Sequence, residues 1–345
     1  MNKFLYYSLV NFIVAIMLWF SMDFITTSFY STRGFSKFFI TNEFSGHINK
    51  PNFKGYFGGP LDDFYSEVNI GNFGERKSFD DCENPNRTVL FLGDSSVAGF
   101  EVKDNETFIS IVNKNCNNSG LIGYNFGVRA HDTHSVIGNY SRIQKKIDHN
   151  IVYYLITPND ITENMNEFHY ANVVKKFGRV FNGDFISYNM NFFEKLYFNT
   201  RIFVSDKFYL TTKLISFFEN YNTNSNYVYK ELAKDKALDN RMLKLKALIL
   251  KFNKLVVKNK AKLIVAIYPC PGTPQCNSRE YEILLKELLA KEEIIFHELT
   301  KEINSLESDN FLMEKMRFPS DPHLSNLGHS VVGKKIEDFI LNIEL

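Results

Sequence analysis

Val89-Leu90-Phe91-Leu92-Gly93-Asp94-Ser95-Ser96-Val97-Ala98-Gly99 is the stretch whose reading decides the fold. Four apolar, largely β-favouring residues run without a polar break into Gly-Asp-Ser, the pattern of a fully buried strand that ends in a tight turn. In an open α/β sheet, ligands collect at the carboxyl end of such strands, and here that end carries a hydroxyl, Ser95. Gly93-Asp94-Ser95 taken alone also suits an ordinary turn leading into a capped helix, because Asp and Ser are favoured capping residues. A functional reading therefore needs partners elsewhere in the chain.

Working outward, apolar runs predict strands over 88–92, 122–126, 151–156, 262–268 and 294–296. Helical spacing predicts helices over 106–113, 135–147, 229–259, 279–290 and 326–341, the last with Ser325 as its cap. Strands alternating with helices imply βαβ units, a parallel sheet and an α/β fold. Residues 31–86 read as an irregular linker with one short strand in the alternating stretch Phe64 to Ile70. After Asp160 the alternation stops. Residues 161–226 are aromatic and Asn-rich, too apolar for disorder, and read as an inserted cap packed near the site. A segment that only thickens the core or lies on a membrane surface remains the alternative.

The chain has 345 residues with 40 Lys+Arg against 39 Asp+Glu, so nothing in its charge suggests a polyanion partner. Its aromatics are spread without an interleaved basic stripe, which argues against nucleic-acid binding. From Phe4 to Phe20 the sequence carries no charge and is long enough, if only just, to cross a bilayer. Bulky Trp19, Phe20, Met22 and Phe24 follow in place of a small-residue cleavage site, which favours an uncleaved anchor over a cleaved signal. The expected organisation is an anchor over 1–30, a linker over 31–86 and a main domain over 87–345, held outside the cytoplasmic membrane on its periplasmic side. Four cysteines suit two disulfides in an exported domain. The Pro- and Gly-containing loop from Cys270 to Cys276 makes a local bridge easy, leaving Cys82 for Cys116. The spacing suits a zinc site less well.

Three further stretches sit where Ser95 needs partners: Asn125-Phe126-Gly127-Val128-Arg129-Ala130-His131-Asp132 after the second strand, Thr157-Pro158-Asn159-Asp160 after the third, and Asp321-Pro322-His323 before the last helix. Together and in this order they resemble the SGNH/GDSL hydrolase family. The matching residues are Gly93-Asp94-Ser95 with Gly99, Asn125-x-Gly127, Asn159-Asp160, and Asp321-x-His323 followed by Leu324 and Gly328-His329. The resemblance runs from about Val68, with Gly74-Glu75-Arg76 included, to the C-terminus. Only the insertion lies outside it.

The resemblance implies a three-layer, flavodoxin-like α/β fold and an esterase. Ser95 would be the nucleophile, His323 the base that takes its proton, and Asp321 the group that orients and stabilises the imidazole. The N–H groups of Ser95 and Ala130 and the Asn159 side-chain amide would face the oxyanion, with Gly93, Asp94, Asn125 and Gly127 in support. His131, His134 and His329 fall on no catalytic block and read as polar surface or local caps. Ala130 replaces the family's usual oxyanion Gly, and Thr157 the Gly before Asn-Asp. No cofactor or metal is expected. The expected substrate is an acylated small molecule or carbohydrate, with O-acetyl esters on an envelope or extracellular glycan first. An O-acyltransferase using the same site and a catalytically silent binding module are the alternatives.

Overall fold

The structure is a computed structural model that describes residues 3–30, 38–42, 44–58, 64–78, 82, 85–163, 210–211, 237–271, 278–292, 294–306, 314–319 and 321–344. The first element, α1 (Lys3–Tyr30), contains the apolar stretch Leu5–Thr26, with mean hydropathy 1.9 and only 6% of its residues buried, long and apolar enough to cross a membrane. Its one acidic residue within that stretch, Asp23, accepts the backbone N–H groups of Leu210 and Thr211 at 2.6 and 2.8 Å. A carboxyl group in so apolar a helix is expected to find such partners. This contact places residues 210–211 of the insertion against α1. The cap expected over 161–226 otherwise lies almost wholly outside the described residues.

Four strands precede the core: β1 (Phe39–Asn42), β2 (Gly46–Asn49), β3 (Lys54–Gly58) and β4 (Tyr65–Asn69), paired as two antiparallel ribbons, β1 with β2 and β3 with β4. The linker is thus more regular than its sequence suggests. β4 matches the expected alternation, but β1 and β2 have four residues each, too few for a period to declare itself. What holds these ribbons is aromatic packing: Phe38, Phe39, Val68 and Ile70 bury against Ala98, Phe100 and Val128. The Phe38 and Phe100 rings lie 5.2 Å apart.

The core follows as β5 (Arg87–Leu92), α2 (Ser95–Ala98), α3 (Phe108–Asn113), α4 (Cys116–Ser119), β6 (Leu121–Asn125), α5 (Thr133–Ile143), β7 (Ile151–Ile156) and α6 (Pro158–Glu163). It continues as α7 (Ala237–Lys258), β8 (Lys262–Ile267), α8 (Ser278–Leu289), β9 (Ile295–His297), α9 (Leu299–Asn304), β10 (Arg317–Phe318), β11 (Asp321–Leu324) and α10 (Asn326–Asn342). The parallel sheet has the order β6-β5-β7-β8-β9, the flavodoxin-like 2-1-3-4-5 arrangement. Residues alternate between its faces. Leu90, Leu92, Val152, Tyr154, Val265 and Ile267 pack under α5, α7 and α8, while Val89, Phe91, Tyr153, Leu155, Ile264 and Ala266 pack under α3, α9 and α10. Every residue of β7 is buried, which is why the central strands read as unbroken apolar runs.

Helix ends fall close to their sequence signals. Ser325 caps α10 by accepting the Gly328 N–H at 3.4 Å, and Asp132 caps α5 by accepting that of Ser135 at 2.8 Å. Cys82 is bonded to Cys116. Cys270 is also disulfide-bonded, and Cys276, its expected partner, lies outside the described residues.

Candidate active site

In the order of the sheet, β5 lies between β6 and β7, so the chain leaves its first core strand in one direction and returns in the other. The crevice at such a switch point lies at the strand's carboxyl end, where Ser95 stands. Asp94 caps the short helix α2 by accepting the Ser96 N–H at 2.8 Å, which fixes Ser95 as the helix's first residue. The turn is tight. A Cβ on Gly93 would lie 2.8 Å from the Leu155 carbonyl, and one on Gly127 would lie 2.2 Å from the Ala98 nitrogen. Asn125 closes the same turn from β6, donating to the Val97 carbonyl at 2.9 Å and accepting the Gly127 N–H at 3.0 Å.

The antiparallel pair β10–β11 carries Asp321 and His323 to this edge from far along the chain. His323 Nε2 lies 2.8 Å from Ser95 Oγ, and its Nδ1 is hydrogen-bonded to Asp321 Oδ1. Asp321 Oδ1 also accepts the His323 backbone N–H at 2.9 Å. With both ring nitrogens so engaged, the tautomer that lets Nε2 accept from Ser95 is the one Asp321 selects.

A fourth group, Glu101, belongs to this line and carries no sequence signal. Its fully buried Oε1 lies 3.6 Å from His323 Nδ1 and is ion-paired with the Arg129 guanidinium, which sits 4.7 Å over the Phe57 ring. Burial of the imidazole opposes its charged form, but the Glu101 charge and the Asp321 hydrogen bond outweigh that and hold His323 above the ordinary imidazole value. Burial would likewise raise Asp321, and the hydrogen bond from His323 outweighs it, leaving this carboxyl below its usual range. Ligand atoms of Glu101, Asp321 and His323 lie within 4.8 Å of one another, close enough to hold a metal ion. A cation there would have to compete with Arg129 for Glu101 and with His323 for Asp321.

If His323 is the base, it works only when neutral, so activity rises with pH through a titration above the ordinary imidazole range. Glu101→Gln removes the charge that raises it. The acid limb of kcat/KM is expected to move to lower pH in this variant, and a limb that stays in place would remove Glu101 from the account.

Thr157, the departure before Asn159-Asp160, links two buried carboxyl groups. Its hydroxyl donates to Asp94 Oδ2 at 3.0 Å and lies 3.2 Å from Asp160 Oδ2, while its N–H donates to Asp160 Oδ2 at 2.9 Å. Glycine there would lose the hydroxyl bridge between the β5 and β7 turns. Asn159 is the second residue of the helix that follows, α6, and its side chain lies outside what is described.

Ala130 is exposed and has φ 59°, a left-handed backbone that costs an L-residue about 1 kcal/mol relative to glycine. Glycine adopts this conformation without that cost. Ala130→Gly is expected to raise stability by up to about 1 kcal/mol without loss of activity, which thermal unfolding with a rate assay would check.

Two of the three histidines set aside are not surface groups. His131 is fully buried and donates from Nε2 to the His47 carbonyl at 2.8 Å, while His47 donates to the Arg129 carbonyl at 2.8 Å, so β2 props the turn that carries Ala130. His329 is buried beside Phe108 and does cap a helix, accepting the first N–H of α3 at 3.1 Å. Burial, with the Arg76 charge, pushes it down to about 3, so it stays neutral. Only His134 is exposed. Their burial comes from the packing of the N-terminal ribbons and α10, which no local pattern reveals.

No protein-family model matches the chain, and no curated protein matches it in sequence. Among solved structures it is similar to a member of the lipolytic G-D-S-L family from Veillonella parvula, with 12% identity and TM-score 0.44 over 74% of this chain and 100% of that one. It is also similar to an acetylxylan esterase from Geobacillus stearothermophilus, with 13% identity and TM-score 0.42 over 76% of this chain and 98% of that one. Likeness at this level is descriptive, and the line from Asp321 through His323 to Ser95 stands on its own geometry.

Proposed function

We propose that the chain is a serine esterase that cleaves acyl esters, O-acetyl esters of a carbohydrate first among them, through an acyl-enzyme on Ser95. The observation that carries this reading is the 2.8 Å approach of His323 Nε2 to Ser95 Oγ, with Asp321 on the other ring nitrogen. A serine hydroxyl is a weak nucleophile until a base removes its proton, and a neutral imidazole at hydrogen-bond distance is that base.

In the first half-reaction Ser95 Oγ bonds to the ester carbonyl carbon as its proton passes to His323 Nε2. The tetrahedral adduct then collapses, the alcohol leaves with the proton from His323, and the acyl group stays on Ser95. Water repeats the sequence and releases the acid. Asp321 holds the ring and stabilises its charged form, with Glu101 adding a second negative charge beside Nδ1. The N–H groups of Ser95 and Ala130 and the Asn159 amide are the proposed oxyanion donors, each worth about 3 kcal/mol of transition-state stabilisation. At the start of α2 the Ser95 N–H has no acceptor within the helix.

In this reading α1 anchors the protein and holds the domain on the extracytoplasmic side of a membrane. The Cys82–Cys116 disulfide supports an oxidising compartment. The test is hydrolysis of a short activated acetyl ester and of an acetylated oligosaccharide by the full-length protein in detergent. Turnover of either supports an esterase, and turnover of neither rejects it.

A further inference from the structure

Across the loop that bears Glu101 lies a second, open cleft of about 790 Å³, lined by Tyr56 and Tyr65, Glu67 and Asn69, Asp104, and the exposed Lys103 and Lys114 among others. Cross-strand register explains how it forms. Lys54 pairs with Asn69, Tyr56 with Glu67 and Gly58 with Tyr65, so alternate residues of β3 and β4 put these side chains on one face while Val68 and Ser66 bury on the other.

Tyr56 and Tyr65 are 39% and 51% exposed, and their rings stack with centroids 5.4 Å apart and planes within 3°. The platform is held in place. Glu67 accepts the Tyr56 hydroxyl at 3.0 Å, the Asn69 amide at 3.0 Å and the Lys54 ammonium at 2.8 Å. Asp104, at the cleft floor, accepts from Asn69 at 2.6 Å and is paired with buried Arg76 at 2.8 Å.

Charge then selects among ligands. The Lys54–Glu67 and Arg76–Asp104 pairs are each neutral, and Lys103 and Lys114 add two ammonium groups to the lining against one nearby carboxylate, that of Glu106, which accepts the Lys103 N–H at 3.0 Å, so the balance at this end of the cleft is positive. A rigid flat aromatic surface offers its face to the C–H side of a pyranose ring, and the surrounding amide and carboxylate groups match sugar hydroxyls. Because the tyrosines are already held, binding orders little that is not ordered before.

We propose that this cleft binds a carboxylated oligosaccharide, one ring stacked on the outer face of the Tyr56–Tyr65 pair with its carboxylate toward Lys103 and Lys114. This goes beyond the esterase reading and does not depend on Ser95 chemistry.

The test is calorimetric titration of the full-length protein in detergent with hexagalacturonate, and with cellohexaose as a neutral hexamer of pyranose rings. Hexagalacturonate is expected to bind at least about tenfold more tightly, and the preference to shrink as salt rises. Tyr56→Ala and Tyr65→Ala, both on a solvent face, are each expected to weaken binding about tenfold. Lys103→Gln with Lys114→Gln is expected to abolish the preference for the acidic oligomer. Ser95→Ala is expected to bind like the parent, which separates this site from the catalytic one. Absence of hexagalacturonate binding, equal binding of cellohexaose, or unchanged binding in both tyrosine variants would overturn the proposal.

Discussion

Ser95→Ala is expected to lower kcat on a short acetyl ester by about ten-thousandfold or more while leaving the thermal midpoint within about a degree. The alanine removes only a hydroxyl, at a half-buried position whose partner is the His323 ring. Neither the Asp94 cap nor the Asn125 bridge to Val97 touches that hydroxyl. His323→Ala is expected to cost nearly as much, because without a base the remaining serine is inert. Asp321→Asn should cost less, since Asp321 orients the ring and stabilises its charge without moving the proton. Retained activity in Ser95→Ala, or a loss that instead follows Ser96→Ala, would show that the hydrogen-bonded line is not the working one.

The second large effect is on stability. Arg76 is wholly buried, paired with Asp104 at 2.8 Å, and donates to the carbonyls of Ala98, Gly99 and Val102. It therefore clamps the loop that follows α2 and presents Glu101. Arg76→Ala leaves a buried carboxyl without its cation and three carbonyls without their donor. Breaking such a pair from one side typically costs about 3–5 kcal/mol. A fall in thermal midpoint of roughly 10 °C is expected in a domain of this size. Arg76→Lys should recover only part of it, because an ammonium cannot reproduce the planar fork that reaches Asp104 and the loop together. An unchanged midpoint for Arg76→Ala would mean that the clamp contributes nothing.

What could be read from sequence follows from where the information is local. The central strands announce themselves because both faces of β5, β7 and β8 are buried, which forces unbroken apolar runs. Ser95, Asp321 and His323 are legible because each sits in a short motif, and the structure brings their side chains into one line. Glu101 and Arg129 are not. Each is a lone charged residue, and a pair made across 28 positions has no periodic trace. The same reason hid the buried roles of His131 and His329, whose partners His47 and Phe108 lie 84 and 221 residues away. The β1–β2 ribbon escaped for a different reason: its strands are too short for alternation, and its stability comes from aromatic contacts with Phe100. In sequence Thr157 is only a departure from a motif; its contacts with Asp94 and Asp160 give it a purpose.

Treating the full-length protein in detergent with a fluorophosphonate, and mapping the modified peptide by mass spectrometry, tests the central claim most directly. The reagent bonds to a serine only where a base activates it and a site receives the anionic oxygen. The expected result is a single adduct on Ser95 that forms faster as pH rises through the His323 titration and is lost in His323→Ala. An adduct on another residue, or no adduct while the protein remains folded, would contradict the account.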